Sequence, residues 1–181
     1  MHASKPSPTE YASYFSRYID LVAESDFVAV LAGQPAEYRA LLGGLSQAQA
    51  GFRYAPEKWS IREVLGHVID AERVFGYRAL CIARGEAVSL PSFDENAYAS
   101  KGGHDSCSLL ELLEEFVHVR RGHIALFGHL DQAAWERTGT VNQNAISVRG
   151  LAYIMTGHAR HHAGILKERY VAAWGGRPVV P

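Results

Sequence analysis

Apolar residues along this chain recur at three- and four-residue steps over long windows, while strict alternation is scarce. The pattern predicts helices nearly throughout and almost no strand. Two helix starts carry the same device: Ser60-Ile61-Arg62-Glu63 and Ser108-Leu109-Leu110-Glu111 both read as capping boxes. In each, Ser accepts from the third helical N–H and Glu reaches back to the cap amide. From Ile61 the periodicity runs to about Arg84, where Gly85 supplies a stop, and from Leu109 it runs to about Leu130. A third long segment starts after Ser147 and continues through Tyr170 to Trp174, ahead of Gly175-Gly176 and Pro178. Asp26 to Leu45 is apolar at helical spacing but interrupted by Gly33 and Pro35, which predicts one bent helix or two short ones. Ser7-Pro8-Thr9-Glu10 has the form of a cap for a short helix, with Pro in its favoured first turn.

Turn formers separate these segments. The connection from Gly85 to Cys107 exceeds twenty residues, more than an antiparallel hairpin of helices needs, so it is expected to cross the bundle or cover a site. Gly51 to Trp59 and Gly139 to Ile146 read as shorter loops. Four long helices and one core imply an all-α four-helix bundle, with a short N-terminal helical segment and a long connection between the second and third bundle helices. A length of 181 residues fits one domain over residues 11–175, with residues 1–10 as a flexible lead and 176–181 as a tail.

Charge narrows the partners. Eighteen Lys+Arg stand against nineteen Asp+Glu, a formal net charge of -1 without the basic excess a nucleic-acid binder shows. The polar opening stretch lacks the apolar run of a secretory signal, and no apolar run approaches the ~20 residues that span a bilayer. Cys81 and Cys107 match no zinc-ribbon or redox spacing and suit a reducing compartment. These features together predict a cytoplasmic protein that engages neither nucleic acid nor membrane.

Nine histidines is a high count for this length, and placement separates them. His2 lies in the lead and His104 in a Gly-rich loop, while His118, His123 and His129 spread around one helix. His158 and His162 stand four apart, so on a helix their Cβ atoms lie about 5–6 Å apart on one face. The stripe Leu151, Met155, His158, His162, Ile165 is otherwise apolar, and so is Val64, His67, Ala71, Val74 on the earlier helix. All three imidazoles therefore face the interior, where burial favours the neutral, coordinating form. A lone inward histidine is more often a hydrogen-bonded core residue, but a pair plus a third from a second helix points to a metal site. His161 falls at the edge of the stripe, suited to a supporting donor, a substrate contact or a helix interface.

Asp70, one turn after His67, could accept from that ring or act as a base at the rim of the site; the alternative is a pairing with Arg73 or an exposed side chain. Glu63 is explained by capping, and Glu72 with Arg73 reads as a solvated face. Arg78 lines up with His67 further along the helix, where it could pair with a carboxylate from another helix or reach an anionic substrate.

The run Tyr54-Ala55-Pro56-Glu57-Lys58-Trp59-Ser60-Ile61-Arg62-Glu63-Val64-Leu65-Gly66-His67-Val68-Ile69-Asp70-Ala71-Glu72-Arg73, with Gly157-His158-Ala159-Arg160-His161-His162-Ala163-Gly164-Ile165-Leu166, resembles the DinB-like (DinB/YfiT) superfamily. The Leu90-Pro91-Ser92-Phe93-Asp94-Glu95 loop and the Tyr77-Arg78-Ala79-Leu80 step also look like one branch of it. The resemblance implies an up-down four-helix bundle in which His67, His158 and His162 hold a divalent metal with open positions. Zinc or nickel suits three imidazoles, as do iron and copper. It further implies activation of a small thiol, such as bacillithiol or mycothiol, for transfer to an electrophile. Related bundles also suggest a hydrolase acting on a small substrate with Asp70 as a candidate base, or a non-catalytic metal-binding stress protein. Pairing as a homodimer is an expectation from the resemblance alone.

Overall fold

Each long helix opens on a side chain that takes up free N–H groups of its first turn. The computed structural model of the chain describes residues 4–24 and 26–174. After a short first helix, α1 (Ser16–Ile19), Asp26 accepts from Ala29 at the head of α2 (Phe27–Leu42). Beyond the one-turn α3 (Gln47–Ala50), the Ser60/Glu63 capping box starts α4 (Ile61–Ala83), and Gly85, at φ 87°, turns the chain out of it. The connection that follows holds α5 (Glu95–Lys101) and a 3-10 turn at His104–Ser106 before the Ser108/Glu111 box starts α6 (Leu109–Gly128). A short α7 (Gln132–Glu136) leads into the strands β1 (Thr138–Val141) and β2 (Asn144–Ser147), and Ser147 caps α8 (Val148–Ile165). A π turn at Leu166–Tyr170 and a 3-10 turn at Val171–Trp174 extend α8, so the last helix expected from the periodicity is α-helical only as far as Ile165. The stop expected at Gly175-Gly176 lies outside the described residues. No described helix is long and apolar enough to cross a membrane.

The four-helix bundle is built from α2, α4, α6 and α8. Both α2 and α4 pack chiefly on α6 and α8. Helices next to each other in sequence, α2 with α4 and α6 with α8, therefore stand on diagonals, unlike the side-by-side order of a plain up-down bundle. Because α4 and α6 are neighbours, the Gly85–Cys107 connection does not cross the bundle; its Ser92, Phe93 and Glu95 instead wall a cavity. Residues 151–159 of α8 are all buried, which marks it as the most enclosed helix.

One sequence expectation is narrowed and two change. The Asp26–Leu45 stretch forms one helix that continues through Pro35 to Leu42. Pro35 cannot donate to the Leu31 carbonyl one turn back, and Arg120 Nη1 does so instead at 3.0 Å. The stretch read as a loop from Gly139 to Ile146 is an antiparallel hairpin pairing Gly139 with Ile146 and Thr140 with Ala145. Its two-residue turn has positive φ at Asn142 (46°) and Gln143 (64°), the form that matches strand twist. Four-residue strands are too short for alternation to register in sequence. Finally, Glu72 belongs to no solvated face. It is 2% exposed, and Arg120 donates to both its oxygens from Nε and Nη2 at 2.5 and 2.6 Å.

Candidate metal centre

The packing of α4 against α8 sets His67 opposite His158 and His162. One nitrogen from each of the three lies within 4.8 Å of the others, and His67 Nε2 stands 3.1 Å from His158 Nε2. The ring centroids are 4.9 Å apart for His67–His158, 4.8 Å for His67–His162 and 4.5 Å for His158–His162. Nitrogens that share one tetrahedral ion at about 2.0–2.1 Å lie roughly 3.3 Å from one another, so this donor set fits a divalent metal with little adjustment. Among the described residues, no further His, Cys, Asp or Glu joins the cluster.

Burial fixes the protonation state of the donors. His67 is pushed down to about 4 by desolvation, assisted by the charge of His104. His158 and His162 lie well below the usual imidazole range, first because they are buried and then because neighbouring imidazoles oppose a second charge. Aromatic rings hold the imidazoles in place: Trp59 lies 4.8 Å from His67, Phe75 5.6 Å from His158, and Tyr18 5.2 Å from His158, centroid to centroid. Tyr18 reaches the site because α1 lies against α8 at Gly157, where a Cβ would run into the Tyr18 carbonyl. The Tyr18 hydroxyl accepts from Arg17 at 2.8 Å, and burial raises it to about 12.

The triad opens onto a cavity of about 360 Å³. Its walls come from α1, the connection after α4 and the β1–β2 hairpin, with α4 and α8 behind. That volume falls in the range that takes a small molecule.

His161 lines the same cavity, its ring 5.4 Å from Tyr18 and 5.1 Å from His162, in a contact position beside the triad. Arg78 is there too, 6% exposed, donating to the Pro91 carbonyl at 2.6 Å. Asp70 is not brought to the cavity. It stands 3.6 Å from Arg73 and 3.8 Å from His104, and no hydrogen bond joins it to His67. Glu63 caps α4, as its position in the box required. His104, read from sequence as an ordinary loop residue, is buried with its ring against Gly66, one residue before His67. Phe93 and Asn142 line the cavity from the segments after Arg84 and before Val148, where the sequence places substrate contacts, and Tyr18 lines it too, with no place assigned to it from sequence. The residue-level positions depend on how α1, the connection after α4 and the hairpin turn fold back, which no periodicity encodes.

The DinB superfamily profile matches residues 31–166. No curated protein matches by sequence. The fold is similar to that of YfiT from Bacillus subtilis, described as a probable metal-dependent hydrolase with an unusual four-helix bundle topology. That likeness has a TM-score of 0.76 at 17% identity and covers 96% of this chain and 94% of the other. A mycothiol-dependent maleylpyruvate isomerase is similar over 81% of this chain and 61% of its own, with a TM-score of 0.64 at 11% identity. At these identities the two structures speak for the fold, whereas the profile spans most of the sequence and both histidine-bearing helices. The chain belongs to the DinB superfamily.

Proposed function

We propose that the protein is a divalent-metal-dependent enzyme acting on a small molecule, with His67, His158 and His162 as the metal ligands. One observation carries this reading: three uncharged imidazoles converge at the wall of an open cavity instead of being closed off in the core. A divalent ion held by three neutral ligands keeps its full charge, and it supplies a Lewis acid toward a small thiol or water at neutral pH. The chain's own residues then do three things. Burial keeps one nitrogen of each ring unprotonated, the aromatic contacts of Trp59, Phe75 and Tyr18 orient the rings, and the loop walls shape the space beside the triad. Asp70 takes no part at the reacting centre in this reading, because it is committed to Arg73 and His104.

Likeness in fold to a probable hydrolase and to a thiol-dependent isomerase supports enzyme chemistry of both kinds. Zinc, nickel, iron and copper all suit three imidazoles, and zinc or nickel is the metal proposed here. Elemental analysis of the purified protein should find one ion per chain, and His158→Ala should lose it. Thiol conjugation to small electrophiles, run beside ester and amide hydrolysis without thiol, then separates the two chemistries. Equal turnover by wild type and His158→Ala in every assay would refute the metal's part.

A further inference from the structure

Arg78 is buried in the cavity wall without an acid beside it. Its residue is 6% exposed, its Nη2 donates to the Pro91 carbonyl, and its guanidinium stands 5.6 Å from the Phe93 ring centroid. Among the described residues no carboxylate comes within ion-pairing distance of it, whereas two other arginines drawn away from solvent each have one. Arg120 has Glu72 at 2.5 Å and Arg149 has Glu10 at 2.6 Å. A cationic side chain removed from water without a counter-charge is costly, so a protein that keeps one facing a cavity has a use for an anion there. The pairing with a carboxylate from another helix that the sequence allowed does not occur, which leaves the cavity side of the guanidinium for a ligand.

We propose that Arg78 is the anchor for a carboxylate carried by the substrate, so that the substrate class is a small organic monoanion. The inference rests on reading the cavity as a substrate site. Arg17 also lines the cavity, but it is exposed and donates to the hydroxyls of Tyr14 and Tyr18. Among the described residues, Arg78 is thus the cavity cation that is buried without an acid partner, and one guanidinium balances the single charge of a carboxylate; a phosphoryl dianion would add a second negative charge to a wall that already holds Glu95. The guanidinium fork also matches a planar carboxylate. Position sets a second constraint. Arg78 follows His67 by about three helical turns on the same face of α4, and both line the one cavity. The carboxylate is consequently several bonds away from the group that reacts at the triad. Phe93, against the guanidinium, and Ile146 supply apolar wall for the chain between them.

The test is binding, measured by calorimetry on the full chain after dialysis against chelator, with hexanoate, hexanamide and hexyl phosphate as probes. Wild type should bind hexanoate about tenfold or more tightly than hexanamide, the margin of a charge-assisted hydrogen bond. Arg78→Gln should remove that preference by weakening hexanoate far more than hexanamide, and Arg78→Lys should restore part of it. The wild-type comparison needs no variant and stands even where a substitution perturbs folding. Lack of any carboxylate preference in wild type overturns the proposal, whether through equal affinities or through absence of binding at millimolar concentration. Tighter binding of hexyl phosphate than of hexanoate overturns the carboxylate assignment. Metal content is read separately: protein that binds no metal yet shows an Arg78-dependent preference sinks the enzyme reading and keeps the anchor. Metal-loaded protein without the preference does the reverse.

Discussion

Burying His67 ties the candidate ligand set to the stability of the whole chain. Unfolded, this imidazole takes up a proton near the ordinary pKa of about 6.5. In the fold, desolvation holds it down to about 4. Between those values the unfolded state binds more protons than the folded one, so stability falls as the pH drops through this window. His158 and His162, depressed for the same reason, act in the same direction. Metal-free protein should therefore lose on the order of 3 kcal/mol on His67's account by the acid end. Urea melts of chelator-dialysed wild type across this range would show the decline, and His67→Gln should make it shallower. A flat profile would mean that the ring is solvated in the fold. The inward placement of these three histidines could be read from the helical wheel, because each has apolar neighbours one turn away on its own stripe. Glu72 could not. It lies well off the His67 stripe, on a part of α4 that a second partner covers, and a wheel drawn toward one neighbour says nothing about another.

Among the elements, the ones with long periodic faces and side-chain caps were predictable, and the ones that complete the site were not. The starts of α4 and α6 sit where the capping boxes put them, since local hydrogen bonding alone decides those residues. The β1–β2 hairpin and α1 are different. Both are too short to bury a face by themselves and take their shape from what they dock on. For α1 the dock is Gly157, whose missing side chain lets the backbone at Tyr18 lie directly on α8. Gly157→Ala would place a methyl group on the Tyr18 carbonyl, and because that neighbour is backbone, α1 has to shift as a unit. The expected cost is about 1–3 kcal/mol, the usual range for overpacking. It should come with weaker metal retention, because Tyr18 packs against both His158 and His161. Denaturant melts give the first quantity and competition with a chromogenic chelator the second. Full stability in Gly157→Ala would mean that α1 is not held at this point.

Across the whole molecule, the core is two apolar clusters separated by a polar layer to which every bundle helix contributes. Phe27, Phe75, Trp135 and Tyr153 belong to one cluster, and Tyr38, Leu65, Phe116 and Tyr170 to the other. Between them, Arg120 on α6 donates to Glu72 on α4 and, from Nη1, to the Gln34 amide oxygen and the Leu31 carbonyl on α2. Gln34 in turn donates to the Thr156 carbonyl on α8 at 2.8 Å. The chain of bonds thus ends two residues before His158. Removing Arg120 leaves the buried Glu72 carboxylate with His123 Nδ1, at 3.3 Å, as its remaining partner, so Arg120→Met should cost about 3–5 kcal/mol. Removing both charges is a different matter: Glu72→Leu with Arg120→Met replaces an ion pair by apolar groups and should recover part of that loss, the remainder being the Leu31 carbonyl and the Gln34 amide oxygen, which lose their donor either way. Urea denaturation of the two single variants and the double variant closes the cycle, and a coupling energy below about 1 kcal/mol would show that the pair contributes little to holding the layer together. The double variant also separates stability from register. If the layer fixes how α8 is set against α4, recovered stability will still leave metal affinity below wild type, because Gln34 then keeps its bond to the Thr156 carbonyl but loses the Arg120 contact that sets its position.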